Sequence, residues 1–461
     1  MAPFLLNKDI ALRSWNKLPF AYYRRGENLP HVIDRRDFTT LLYCDGTEDI
    51  EENEITSKLL KEGIIIRKEN KDENLLSWQQ FRYCDNDVTP SLNIEITQRC
   101  DCNCRHCFNA TGNNTPKEEL TFENILKILD DAQKCGVFAL TITGGEPLIR
   151  KDFKDIVDAI DERGMSIREL NTNGSFLTTD ILDHFKEHGD KPLIKISFDG
   201  IGYHDALRGN PGMEEKSLYS IKLAVKSGFQ VMVQMNINKE NLSTIIPSLE
   251  MLDEIGVSTT RIIRTIETPQ WAKNGVSATL SWEEYYENVL NILKDYCSKD
   301  HKMKIISWLF LTVDPVSKSY RTGYEKFTTK KYNSRLPLCS ACKGMPAIGS
   351  SGKIYPCMQM SGYFDLKGID DGNVLKTELI ELLNKGAYHD RTYMTVEERL
   401  SKNEKCRSCS HYEKCAGGCP ALGLLYSGQY AHYDPSKCLI YENGFDIKAA
   451  ELLTSLGYNA K

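Results

Sequence analysis

At 461 residues the chain is too long for one ordinary domain, and two to four are expected. Its formal charge of −6 gives no basic footprint for nucleic acid, and no run of eighteen apolar residues exists to span a membrane. Sixteen cysteines behind a start (Met1-Ala-Pro-Phe-Leu-Leu-Asn7) whose apolar stretch is too short for a secretory signal point to metal rather than disulfides, in a cytoplasmic setting.

Residues 1–88 read as a small α+β module. Phe20–Tyr23 is strand-like, and a turn at Gly26 leads to a short strand at His31–Ile33. Asp34 can cap a helix whose apolar face is Phe38, Leu41 and Leu42. Asp45-Gly46 reads as a turn, and a second helix with Ile55, Leu59 and Leu60 stops at Gly63. Ile64–Ile66 closes the module as a strand, giving a winged-helix-like order of elements. The charged stretch that follows, residues 68–88, reads as a linker.

Residues 89–310 alternate strand-like and helix-like runs about every forty residues. The strands are expected at Ile94–Thr97, Ala139–Thr143, Arg168–Asn171, Leu193–Phe198, Gln230–Asn238 and Thr260–Ile266, with helices such as Phe122–Lys134 and Leu242–Ile255 between them. Six such units imply a parallel sheet with helices outside, a partial (β/α)6 TIM-like barrel, with chemistry at the C-terminal ends of the strands. Motifs fall at those ends. The first strand runs into Cys100-Asp-Cys102-Asn-Cys104-Arg-His-Cys107-Phe108, where Cys100, Cys104 and Cys107 are spaced C-x3-C-x2-C. Three thiolates can hold three corners of a cubane cluster and leave one iron open, whereas a structural zinc site wants a fourth ligand. A zinc knuckle or a chance spacing is the other reading of this loop. Gly144-Gly145-Glu146-Pro147 follows the second strand, Asn173-Gly174 the third and Ser197-Phe-Asp199-Gly200 the fourth, and Arg208 lies eleven residues after Ser197. Taken alone, Arg208 could equally make a loop salt bridge.

A helix at Trp282–Asp295 and a strand at Lys304–Thr312 lead into a connector, 311–337, whose basic, Tyr- and Thr-rich stretch Val316–Arg335 could also line a substrate channel. Residues 338–445 hold Cys339, Cys342, Cys357, Cys406, Cys409, Cys415, Cys419 and Cys438. Such spacings suit a structural zinc domain as well as iron–sulfur clusters. A C-terminal helix, residues 446–461, carries no chemical signal. Cys44, Cys84, Cys102, Cys135 and Cys297 fall outside the patterns and read as buried structural thiols.

The cysteine triplet after a strand, followed by Gly-Gly-Glu-Pro at the end of the next, resembles the radical S-adenosylmethionine (radical SAM) superfamily. The eight later cysteines resemble its SPASM domain, and Leu41–Thr47 with Gly63–Ile66 resembles a PqqD-like peptide-recognition module. The resemblance implies a SAM-binding 4Fe-4S cluster on Cys100, Cys104 and Cys107. It implies SAM contacts from Gly144, Gly145, Glu146, Asn173, Ser197 and Arg208. Two auxiliary 4Fe-4S clusters would follow, one on Cys339, Cys342, Cys357 and Cys419, the other on Cys406, Cys409, Cys415 and Cys438. Cys339 varies in place among such proteins; without it the first auxiliary cluster would keep an open iron.

The function implied is that of a radical SAM oxidoreductase maturing a ribosomally made precursor peptide. A 5′-deoxyadenosyl radical takes a hydrogen, an intrapeptide thioether, C–C or C–O crosslink forms, and an auxiliary cluster accepts the surplus electron. The partners implied are the peptide, its leader bound by strand addition to the N-terminal module, and a one-electron reductant such as flavodoxin or ferredoxin; nucleic acid and membrane are not expected. The alternatives are a sulfatase-maturase-like dehydrogenase of a protein Cys or Ser, a peptide epimerase, or a non-catalytic peptide-binding or electron-transfer protein. The N-terminal module could also be a packing appendage of the barrel.

Overall fold

The computed structural model describes residues 2–70, 72–107, 119–274, 276–327 and 331–461. Phe108, at the end of the cysteine stretch, and residues 328–330 of the expected connector lie outside the described residues.

The N-terminal region is richer in strands than its sequence suggests. It holds β1 (Ala2–Leu6), β2 (Ile10–Trp15), β3 (Leu18–Arg24), β4 (His31–Val32), β5 (Asp45–Ile50), β6 (Ile65–Arg67) and β7 (Arg82–Cys84), in two sheets ordered β5-β1-β6 and β4-β3-β2-β7. Asp34 caps the helix Arg35–Leu42 as expected, its carboxylate accepting from the amides of Arg36 and Asp37 at 2.8 Å. Two readings are corrected. Asp45-Gly46 opens β5, which pairs with β1. The stretch 68–88 is no free linker, because β7 pairs in parallel with β2.

This module docks on the N-terminal end of the barrel strands. The Trp15 indole donates to the Cys135 carbonyl at 3.0 Å, and Tyr23 stacks on Phe138 at 4.7 Å between centroids. Such a stack contributes about 1 kcal/mol beyond burial. The cysteine loop lies at the opposite end of the strands.

The barrel strands are β8 (Ser91–Glu95), β9 (Ala139–Thr143), β10 (Ser166–Thr172), β11 (Leu193–Ser197), β12 (Val231–Ile237) and β13 (Thr259–Arg264), parallel and consecutive in one sheet. The sheet continues through β14 (Lys304–Ser307), β15 (Leu311–Asp314) and β16 (Ser319–Thr322). The expected strand at Lys304–Thr312 is therefore a hairpin, with Leu309 at φ 61° in its turn, and residues 311–322 belong to the sheet rather than to a connector. β17 (Ala347–Ile348) and β18 (Ile354–Tyr355) extend the other edge, β17 pairing in parallel with β8, and β19 (Asn459–Ala460) pairs with β16. The order β18-β17-β8-β9-β10-β11-β12-β13-β14-β15-β16-β19 leaves the barrel open.

Side chains alternate across this sheet. Ile94, Ile142, Leu170, Ile196, Val233 and Ile262 lie in the outer core, beneath the surrounding helices. Parallel strands are usually apolar on both faces; here the inner face carries Asn93, Glu95, Thr141, Lys195, Gln234 and Arg261. A polar lumen is expensive to bury, and that expense is justified by what it binds. A second core around Leu338, Tyr355, Met360, Phe364 and Tyr412 supports the C-terminal cysteine-rich region. No helix among the described residues is long and apolar enough to cross a membrane.

Candidate active site and cluster cysteines

The cysteine loop is pinned where β8 ends. Asn103 and Arg105 donate backbone N–H groups to the carbonyls of Arg208 and Leu207, each at 2.9 Å. Gly145 and Glu146 donate theirs to Thr97 and Arg99 at 2.8 Å. Gly145 is required by that packing: a Cβ there would lie 2.5 Å from the carbonyl oxygens of Gln98 and Arg99. What the missing side chain admits is the backbone that leads into the cysteine loop.

Glu146 is buried, and its carboxylate accepts from the Leu148 amide at 3.1 Å, the Thr172 hydroxyl at 2.7 Å and the Asn173 amide at 2.7 Å. Burial nonetheless raises its pKa to about 7. The side chain thus ties the ends of β9 and β10 together. Asn173, fixed by this link, points its Nδ2 at Asp101 Oδ1 (2.8 Å), Cys102 Sγ (3.4 Å) and Cys100 Sγ (3.9 Å). Ser197 is the last residue of β11 and half-buried.

Arg208 donates Nε to Asp199 Oδ2 at 2.7 Å and turns Nη1 toward Cys104 Sγ at 3.8 Å. Burial disfavours a charged Asp199, yet Arg208 and His204 hold its carboxyl well below the usual range. The Cys102 thiol donating toward it, and then Arg208, bring Cys104 down to about 7 against the effect of burial. Asp199 is one residue that sequence reasoning missed. Its Oδ1 accepts from the Asn236 amide at 2.9 Å and its carbonyl from Asn241 Nδ2 at 2.8 Å, so it joins β11, β12 and Arg208. The signal was present: an acid in the Ser197-x-Asp199-Gly200 turn, nine residues before an arginine. His106, also missed, is half-buried, and its Nε2 lies 3.1 Å from Asn236 Nδ2; desolvation first and Arg208 second push it down to about 3.

The eight later cysteines fall in two neighbourhoods of the structure. Cys406, Cys409, Cys415 and Cys438 line one cavity of about 50 Å³. Cys342 is hydrogen-bonded to Cys339 and lies within electrostatic range of Cys357 and Cys419. Cys339 is brought down to about 6, chiefly by the Cys342 thiol, while burial holds Cys357 near 11 and Cys419 near 12. The five thiols outside the patterns are all buried. Cys102 is buried between Cys100 and Cys104, hydrogen-bonded to both.

Three cysteines on one loop, with Asn173 and Arg208 N–H groups aimed at the sulfurs of Cys100 and Cys104, and two further sets of four thiols, are donor sets suited to cubane clusters. A parallel α/β scaffold with such a loop at the strand ends defines a cofactor-dependent enzyme. Family comparison agrees: residues 94–252 match the Radical SAM superfamily, and residues 339–410 match SPASM, an iron–sulfur cluster-binding domain. The chain thus holds a radical SAM domain followed by a SPASM domain, and these two domains indicate 4Fe-4S clusters and SAM as its cofactors.

Among similar proteins, the AdoMet-dependent heme synthase of Methanosarcina barkeri is 26% identical, over 74% of this chain and 94% of its own. The PqqA peptide cyclase of Granulibacter bethesdensis is 25% identical, over 76% and 88%. Among solved structures, Streptococcus suis SuiB bound to its precursor peptide SuiA matches with a TM-score of 0.63 at 16% identity, covering 94% of this chain and 99% of that one. That likeness shows a shared fold.

Proposed function

We propose that this enzyme matures a ribosomally made peptide by forming an intrapeptide thioether, C–C or C–O crosslink. Bound SAM and clusters would supply hydrogen abstraction through a 5′-deoxyadenosyl radical and acceptance of the surplus electron. The chain's own residues position the reaction. Cys100, Cys104 and Cys107 would hold the SAM-cleaving cluster, and the backbone of Gly144–Glu146, with Asn173, Ser197 and Arg208, would seat SAM. Cys339, Cys342, Cys357 and Cys419, and then Cys406, Cys409, Cys415 and Cys438, would hold the auxiliary clusters. Flavodoxin or ferredoxin would deliver the reducing electron.

The observation that carries this reading is the division of eleven cysteines into one set of three and two sets of four. An incomplete set leaves an iron for SAM, and complete sets suit electron transfer. Net removal of two hydrogens from a substrate needs both.

A peptide is favoured by the N-terminal module. β4 is a two-residue edge strand whose Val32 is 69% exposed, and Leu29, just before it in the chain, is equally exposed. An edge of this kind suits addition of an extended leader. The named activities of PqqA peptide cyclase and the precursor peptide seen with SuiB point the same way.

The test is the mass of a candidate precursor peptide after anaerobic incubation with reconstituted enzyme, SAM and a strong reductant in deuterated water. Loss of two hydrogens, with fragmentation locating a link, supports the proposal. A stable deuterium gain without loss marks an epimerase instead, and an unchanged peptide contradicts peptide maturation.

A further inference from the structure

We propose that Arg261 in the barrel lumen is the anchor of a carboxylate-binding subsite that seats an acidic group of the peptide; this rests on the peptide reading above. The argument begins with a β-bulge. The register of β10 against β9 shifts between Ile167 and Glu169. Ile167 and Leu170 stay in the outer core, while Arg168 and Glu169 both turn inward. Arg168 donates to the Thr141 hydroxyl at 3.2 Å and to the Met345 sulfur at 3.0 Å, and lies 3.4 Å from Glu169. Lys195, from β11, is hydrogen-bonded to the other oxygen of Glu169.

Arg261 enters the same space from β13, between Thr260 and the outward-facing Ile262. Among the described residues no hydrogen bond or ion pair holds its guanidinium, and its Nε is buried without a partner, as is that of Arg168. Three cations therefore share one carboxylate. Glu95, on the neighbouring wall, already accepts from the amide and hydroxyl of Ser350 at 3.1 Å. A lysine in this position could shed its proton, but an arginine cannot, so the charge persists and calls for an anion.

Register places that anion. Arg261 aligns with Gln234, which aligns with Ser197, the residue assigned to SAM. The subsite thus lies level with Ser197 and two strands along the sheet, beside the expected cofactor pocket. A guanidinium fork matches a carboxylate with two parallel hydrogen bonds. The carboxylate can come from an Asp or Glu side chain of the peptide or from its C-terminus.

The experiment compares wild-type enzyme and Arg261→Gln, each with full clusters verified by iron content. The probes are the precursor peptide, variants with each Asp or Glu of the core changed to Asn or Gln, and a C-terminally amidated form. Arg261→Gln is expected to lower kcat/KM for the parent peptide on the order of 100-fold, as when one partner of a buried charge pair is removed. One neutralised peptide should suffer the same loss with wild-type enzyme and no further loss with the variant; whether that peptide is a side-chain variant or the amide identifies the source. A variant within twofold of wild type, or losses that multiply for every peptide, overturns the subsite. A parent peptide left unmodified by wild-type enzyme overturns the peptide reading and this occupant with it.

Discussion

The sulfurs of Cys100, Cys104 and Cys107 stand on a loop cross-braced by the ends of β8 to β12, with Asn173 and Arg208 aimed at the first two. Those of Cys406, Cys409, Cys415 and Cys438 line a small cavity among short helices, and burial raises the thiols of Cys406, Cys415 and Cys438. The first region is built to hold polar ligands beside a metal. The second gathers four sulfurs in one cavity, with Lys405, His411, Asp434, Lys437 and Glu442 in its walls. On the reading proposed above, identical side chains acquire different chemistry from what surrounds them: a set open to ligand in one place, closed sets in the other.

This contrast can be broken from the closed side first. Cys415→Ala should remove about four iron atoms per chain, the content of one cubane, and abolish crosslinked product, while 5′-deoxyadenosine still forms. Product formation at wild-type rate would dissolve the distinction between the regions. The next effect concerns the brace. Gly145→Ala puts a Cβ against the carbonyls of Gln98 and Arg99, and SAM cleavage should fall on the order of 100-fold, as for other small misplacements in active sites; unchanged turnover would mean the loop tolerates displacement. Arg208→Lys keeps the charge and loses the planar fork that joins Asp199 to the sulfur side. A weaker loss, about 10-fold in kcat/KM for SAM, is expected, and an effect on iron content alone would assign Arg208 a purely structural role.

The smallest effect tests how the two regions are held together. Asp87 accepts from Lys343 at 2.7 Å, Lys17 at 2.9 Å and Tyr393 at 2.8 Å, joining the barrel entry, the N-terminal module and the SPASM domain. Burial opposes its charge, but Lys343 and Lys17 bring it down to about 2. A depressed carboxylate contributes stability above its unfolded pKa of about 4 and loses it as pH falls toward 2. Asp87→Asn should therefore cost about 1–2 kcal/mol in urea unfolding, with the same deficit from pH 6 to 9. A deficit that varies across that window would point to a different group.

Much of this was legible from the residues. The period-two apolar runs gave β9 its bounds and placed five other barrel strands to within a few residues, because one face of each is buried under helices. The cysteine spacings separated the triplet from the octet. What escaped did so for physical reasons. β2 is buried along its whole length and contains Arg13, whose guanidinium donates to the carbonyls of Leu12, Trp78 and Gln80, so no alternation marks it. β7 hides in a polar stretch because its pairing to β2 is a long-range event. The hairpin at 304–314 turns through Leu309 at positive φ, a conformation that sequence alone assigns to Gly or Asn. Asp199 was visible as a motif residue, but its partners come from three separate segments.

The central claim is that the loop, and not the SPASM cysteines, is where SAM reacts. The most direct measurement is 5′-deoxyadenosine formed under reduction by reconstituted Cys104→Ala enzyme beside Cys415→Ala. The account predicts none from the first and continued formation by the second. Deoxyadenosine from Cys104→Ala at a rate comparable to wild type would contradict it.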